Sequence, residues 1–169
     1  MKALLKALDS EIASVATLYL NTAMRRGELM KLLWADVDLP GASLTVRSPK
    51  NGRDRVVPLS DDALRILRKR RHQWKNEQTA DSTDLRVYGS RADIAKAVRG
   101  SWHVLNSERR DVLQPVHSFR DTAITQLAAA GVPLAVVQEL AGHASIEMTR
   151  RYAEVSPKAM RDAVTRVFG

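Results

Sequence analysis

The 169-residue sequence contains no cysteine, which excludes a disulfide framework and any thiolate metal site and reads as an intracellular chain. No run approaches the roughly 18 apolar residues that a membrane span requires, so no membrane partner is expected. The start, Met1-Lys2-Ala3-Leu4-Leu5-Lys6-Ala7-Leu8, interleaves apolar residues with lysines and lacks a cleavage-site signature; it reads as an amphipathic helix and not as a targeting signal. Internal repeats, low-complexity tracts and a second domain are missing too. Acidic residues are in deficit, with 19 Asp and Glu against 27 Lys and Arg and a formal charge of +8. That balance points to a polyanionic partner, nucleic acid before any other. The length suits one ordinary domain with a single core.

Hydrophobic spacing predicts a helix from Glu11 to about Met24, capped by Asp9 or Ser10, with Ile12, Val15, Ala16 and Tyr19 on its inner face. A second helical stretch runs from Arg26 to Trp34. Gly27 weakens continuity between the two, which places Arg25 at a helix break. Taken alone, Arg25, Arg26 and Lys31 read as a solvated basic face. From Asp36 the period becomes alternating. Val37, then Ser43 to Arg47, then Arg55 to Leu59 read as three short strands with turns at Pro40-Gly41 and Asn51-Gly52. Lys50 then stands at a hairpin tip, and Arg47, Arg53 and Arg55 beside it can reach a phosphate backbone or simply stay solvated.

Ser60-Asp61-Asp62 opens a long helix to about Gln78 with acidic residues at its positive end. Ala63, Leu64, Leu67 and Trp74 face inward, and Arg68 to His72 form a solvated or nucleic-acid-facing surface. Residues 78–84 read as a connection, Leu85 to Tyr88 as a short strand or the entry to a buried segment, and Ser90 as the cap of a helix through Leu105. Ser107 to Asp111 is a charged loop. The next helix runs from about Ser118 to Ala130 and stops at Gly131. Another begins with Pro133 in its first turn and ends near Gly142. A short one follows from Ser145 through Arg151, and Ser156-Pro157 opens the last. The whole is mainly helical with a small antiparallel sheet.

Four residues stand at helix edges: His117, Arg120, His143 and Tyr152. His117 and Arg120, three apart, can address one ligand. The histidines read also as hydrogen-bonded packing residues. As a metal site the set lacks carboxylate or thiolate, and two arginines with a lysine would repel a cation; no metal or other cofactor is expected. What it suits is a phosphodiester, whose nonbridging oxygens accept the planar fork of an arginine, with tyrosine as a possible nucleophile.

These residues carry a resemblance. Thr22-Ala23-Met24-Arg25-Arg26-Gly27-Glu28-Leu29 with Leu33-Trp34-Ala35-Asp36-Val37-Asp38 resembles the first arginine motif of the tyrosine recombinases, the phage integrase family. Lys50 to Leu59 resembles that family's lysine hairpin. His117-Ser118-Phe119-Arg120 resembles its His-x-x-Arg motif, Leu140-Ala141-Gly142-His143 its Leu-x-Gly-His motif, and Tyr152 its nucleophile. The resemblance covers about Glu11 to Val167. It implies the integrase-type DNA breaking-rejoining catalytic domain, acting on double-stranded DNA through a 3′-phosphotyrosyl bond without metal or nucleotide. By it, Arg25 and Arg120 hold the nonbridging oxygens and His143 adds a donor. Lys50 protonates the departing 5′-oxygen, His117 assists proton transfer at Tyr152, and Glu28 buttresses Arg25. Cationic neighbours are expected to favour the Tyr152 phenolate. Arg26, Arg47, Arg53, Arg55, Arg150 and Arg151 are the expected DNA contacts.

Three departures bear on local geometry: Ala23 where the family usually has glycine, Ser118-Phe119 for Asp-Leu, and Asp121 for a histidine, its charge free to pair with a basic neighbour. Only about ten residues precede Glu11, so the core-binding and arm-binding domains usual in the family are expected to be absent. The chain is then a piece of a longer integrase or a short relative. The resemblance also implies a tetrameric synapse joined by C-terminal segments, although the short tail from Pro157 can fold back on its own domain. Cytoplasmic, nucleoid-associated action in a bacterial or phage-infected cell follows. Two rivals remain: a type IB topoisomerase and a catalytically idle DNA-binding regulator.

Overall fold

The computed structural model describes residues 10–47, 53–77, 85–88 and 115–153, with single positions at 161, 164, 165, 167 and 168. The amphipathic start, the Asn51-Gly52 turn with Lys50, the 78–84 connection, the Ser90 helix, the 107–111 loop and the Ser156-Pro157 helix start lie outside these residues.

Helix α1 (Ser10–Thr22) buries Val15, Leu18, Tyr19 and Thr22, positions three and four apart that form one stripe of a 3.6-residue helix. It stops at Ala23, whose φ of 51° is left-handed. Arg25 follows in extended conformation as the N-cap of α2 (Arg26–Lys31). The expected break is there, but Gly27 does not make it. Gly27 lies inside the first turn of α2, and a Cβ there would meet nothing within 4 Å.

A 3-10 turn at Trp34–Asp36 leads into β1 (Val37–Asp38), β2 (Ser43–Val46) and β3 (Arg55–Pro58), an antiparallel meander in the order β1-β2-β3. Leu44 lies opposite Val57 and Val46 opposite Arg55. The two-residue period turns Leu44, Val46, Arg55 and Val57 inward while Val56 is 65% exposed. One buried position of β3 is therefore an arginine.

Helix α3 (Asp61–Glu77) is capped by Ser60, whose Oγ accepts the Ala63 N–H at 3.3 Å. Ala63 and Leu67 are fully buried, and Trp74 meets Trp34 at 5.9 Å between ring centroids. The helix corrects the expectation of a solvated 68–72 surface. Arg68, Lys69 and His72 are exposed, but Arg70 is buried and its Nε donates to the Val87 carbonyl at 2.9 Å. Arg71 lies 4.7 and 4.8 Å from the Trp34 and Trp74 rings. The reason is helical phase: 63, 67, 70 and 74 share one face, so a core-facing position falls within the basic run. Beneath it, Val87 and Tyr88 are buried and Arg86 bridges to Leu33, the entry to a buried segment that the sequence suggests.

Helix α4 (Pro115–Ala129) starts a turn earlier than Ser118 and closes at Gly131, with φ of 77°. In α5 (Leu134–Ala141) Pro133 is the N-cap and not a helical residue, and Gly142 ends the helix with φ 64° and ψ 47°. The short α6 (Ile146–Arg150) follows Ser145. Two apolar clusters organise these elements. The larger joins α1, α2, the sheet, α3, Val87, Tyr88 and Phe119. Fully burying a side chain such as Leu18, Leu29 or Phe119 contributes roughly 1.5–3 kcal/mol. The smaller is built from Ala23, Ala123, Ile124, Val137 and Ala141, with Tyr152 packed against its edge. Small residues there let the end of α1 approach α4 and α5. That junction carries the polar site.

Candidate active site

Arg25, at the mouth of the α1–α2 break, is held three ways. Its backbone N–H donates to Glu28 Oε2 at 2.7 Å, its Nη1 to Glu28 Oε1 at 2.9 Å and its Nη2 to the Gly142 carbonyl at 2.7 Å. With 45% of its side chain exposed, it still faces outward. Glu28 also receives Arg55, from Nη1 at 3.1 Å and Nη2 at 2.8 Å, while Arg55 Nε donates to the Leu140 carbonyl at 3.0 Å. One carboxylate thus clamps two guanidiniums, and both reach the C-terminal carbonyls of α5, where the helix dipole favours cations. Burial alone would raise the Glu28 carboxyl; the hydrogen bonds from Arg55 and Arg25 outweigh it and hold the group below its ordinary range.

Arg55 is therefore a correction. Expected to contact DNA, it is 5% exposed and spent on Glu28 and Leu140, because the strand period turns it inward. Gly142 is the counterpart of that burial. A Cβ there would lie 2.7 Å from Arg55 Nη1, and the backbone is left-handed as well, so glycine meets both requirements.

Arg120 is buried on α4, and its Nη1 donates to the Ala23 carbonyl. The left-handed turn at Ala23 thus supplies the carbonyl that steers this guanidinium. Burial first, and the nearby Arg25 second, lower Arg120 to about 10, which leaves it cationic at neutral pH. His143, just past Gly142, is buried with Nδ1 2.8 Å from Thr149 Oγ1. Burial foremost, then the fields of Arg120, Arg25 and Arg151, push it down to about 4. It is a neutral imidazole near pH 7. Thr149, fully buried, was missed in the sequence; its only signal was a polar residue one helical turn before Tyr152.

Tyr152 lies half-buried just past α6, its ring 6.2 Å from that of His143 and inclined by 20°. Its hydroxyl donates to Asp121 Oδ1 at 2.8 Å. The expectation that cations favour phenolate is reversed: burial first, and Asp121 second, raise the phenol above its ordinary value, outweighing Arg151 and Arg120. His117 is 63% exposed, with Nε2 3.8 Å from Asp121 Oδ1. His117 and Arg120 leave α4 in different directions, so Asp121, and not Arg120, is the near neighbour of His117.

The structure brings together Arg25, Glu28, Arg120, His143 and Tyr152, and adds Arg55, Asp121 and Thr149. Lys50 lies outside the described residues. Of the expected DNA contacts, Arg26, Arg53, Arg150 and Arg151 are exposed; Arg47 is exposed too but donates to the buried Asp36 at 2.6 Å. Among the described residues no cluster of His, Asp and Glu is arranged to hold a metal ion, and no helix is long and apolar enough to cross a membrane.

Comparison with known proteins gives a matching family model, that of the phage integrase family, over residues 1–159. Tyrosine recombinase XerA of Pyrococcus furiosus is 30% identical over 155 residues, covering 90% of this chain and 53% of that protein. The integrase of Salmonella phage P22 is 28% identical over 183 residues, covering 99% of this chain and 46% of the integrase. The chain spans about half the length of these relatives. Among solved structures, a crystal structure of XerA recombinase superposes with a TM-score of 0.76 at 23% identity, over 99% of this chain and 61% of that one.

Proposed function

The chain belongs to the phage integrase family, and on that premise we propose that it is the catalytic domain of a site-specific DNA recombinase that cuts and rejoins DNA through Tyr152. The observation that carries this reading is the meeting of a tyrosine hydroxyl, a neutral imidazole and two guanidiniums at one junction, with the rings of Tyr152 and His143 6.2 Å apart. A guanidinium fork matches two nonbridging phosphate oxygens, and Arg25 and Arg120 arrive already fixed by carbonyl partners. Fixed donors lose little on meeting the charge of the pentacoordinate transition state; losing one costs on the order of 10²–10³ in rate.

The phenol oxygen attacks phosphorus, the bond to the 5′-oxygen breaks, and the 3′-phosphate stays on Tyr152. In the tautomer whose Nδ1 accepts from Thr149, His143 presents Nε2–H as a further donor. Lys50 protonates the departing 5′-oxygen. A 5′-hydroxyl from a second strand reverses the step, so strands exchange without metal or nucleotide. Arg26, Arg53, Arg150 and Arg151 meet DNA phosphates, which makes affinity fall steeply with salt. The synapse is an assembly of protomers, a reading supported by Val164, Val167 and Phe168, which are 59, 67 and 84% exposed.

The test is a pool of nicked duplexes, inverted repeats included, whose cleaved fragment diffuses away. A covalent protein–DNA adduct on a denaturing gel, lost completely in Tyr152→Phe, is the expected result. Binding without any adduct would mean an idle DNA-binding module, and relaxation of supercoils without strand exchange a topoisomerase.

A further inference from the structure

Three side chains of the nucleophile's surroundings form a line. The Tyr152 hydroxyl lies 2.8 Å from Asp121 Oδ1, and His117 Nε2 lies 3.8 Å from that same oxygen. His117 and Asp121 are one turn apart on α4 and share a face. Arg120, the residue between this pair and the core, turns inward to Ala23. Adjacent positions of α4 thus deliver a phosphate-holding cation inward and a carboxylate to the nucleophile.

We propose, resting on the reading of Tyr152 as nucleophile, that Asp121 is the catalytic base that takes the phenol proton as the Tyr152 oxygen attacks phosphorus, with His117 as the positioning residue behind it. The O–H bond of Tyr152 breaks and its proton passes to the Asp121 carboxylate. The phenol oxygen bonds to phosphorus, the bond to the 5′-oxygen breaks, and that oxygen takes a separate proton from Lys50. In the rejoining step the 5′-hydroxyl gives its proton back to Lys50 as its oxygen displaces the phenol oxygen, and Asp121 returns the proton to Tyr152. Site charge is unchanged by the transfer, because the carboxylate becomes neutral as the phosphorane gains charge.

Phenols are far weaker acids than carboxylic acids, so the proton rests on Tyr152 until attack begins. Burial and the Asp121 contact both keep it there, which means that phenolate is not preformed and a base must act during the step. The groups facing the phenol are Asp121, with His117 behind it, and Arg120 from α4, and Arg151 and the neutral His143 ring from the other side. Among the described residues none but Asp121 is both within hydrogen-bond distance of the hydroxyl and able to accept its proton. His117, largely exposed, is placed to orient the carboxylate.

Asp121→Asn keeps an acceptor for the hydroxyl and removes the base. Adduct formation on the nicked duplexes is expected to slow by about 10²–10⁴-fold. The residual rate should then climb about tenfold per pH unit between about pH 7 and about pH 9 as phenolate accumulates, whereas the unsubstituted protein changes little across that range. Asp121→Glu should restore the shallow profile. An ultraviolet titration of the free protein, with Tyr152→Phe subtracted, should show the Tyr152 phenol ionising at lower pH in Asp121→Asn. Unchanged ionisation, or an adduct formed as fast in Asp121→Asn with the same pH profile, would overturn the base while leaving Tyr152 as nucleophile. If the unsubstituted protein forms no adduct on any duplex, the recombinase reading itself fails and the base with it.

Discussion

The site has two halves of different build. The half around Glu28 is closed: Arg25 and Arg55 share one carboxylate, each also donates to a carbonyl at the end of α5, and Arg55 and Glu28 are 5% and 13% exposed. The half around Tyr152 is open. His117 and Asp121 are 63% and 40% exposed, and Arg151 faces solvent. Burial makes charge pairs costly to break, while exposure leaves them weak and adjustable. The half around Glu28 is therefore stiff and tied to stability, and the half around Tyr152 is soft and contributes little to it.

The sharpest way to break this contrast is to remove one acid from each half. Glu28→Ala strands Arg55 without its counter-ion and should cost about 3–5 kcal/mol, the usual cost of opening a buried pair. Asp121→Asn should change stability by no more than about 0.5 kcal/mol. Urea denaturation of the two variants decides it; comparable losses would mean that the halves are not distinct.

Acid should expose the same contrast through His143, which joins the halves. An unfolded histidine titrates near 6.5 and this one at about 4, so the unfolded chain takes up the proton first. The stability due to the neutral imidazole is complete above about pH 6.5 and is lost as the pH falls to about 4; Glu28, held low, adds a loss of the same sign in acid. Denaturation midpoints across that interval should fall in the unsubstituted protein and fall less in His143→Gln.

A small effect is also expected at Ala23, beneath both halves. A left-handed non-glycine residue costs roughly 1–2 kcal/mol, but glycine there would forfeit the buried methyl, about 0.8 kcal/mol, and about 0.5–1 kcal/mol of backbone entropy. Ala23→Gly should therefore shift stability by less than about 1 kcal/mol in thermal or urea melts. A gain well above that would show strain stored at the turn. The near balance explains how this chain carries alanine where its family usually has glycine.

What could be read from the sequence was whatever depends on neighbours in the chain. The sheet follows from alternation in Ser43 to Val46 and Arg55 to Pro58, and the ends of α4 and α5 from Gly131 and Gly142. The helix break before Arg25 was legible too, although its cause lies in Ala23 and not Gly27. Long-range pairing was not legible. Arg55 meets Leu140 across 85 positions and Tyr152 meets Asp121 across 31, and no local period announces either. Arg70 misled for the opposite reason: a run of like charges hid its helical phase. The motif residues Arg25, Arg120, His143 and Tyr152 do assemble at one junction, whereas the Asp121 contact at the hydroxyl had to be seen in three dimensions.

Gly142 and Arg55 have a consequence for how this sequence can diverge. The Arg55 guanidinium stands where any side chain at position 142 would begin, 2.7 Å from the would-be Cβ. Bulk at 142 would push this guanidinium off Glu28, and losing the arginine at 55 would leave Glu28 with a single cation. An arginine at 55 therefore confines position 142, 87 positions away in the chain, to glycine, on top of the confinement that its left-handed backbone already imposes.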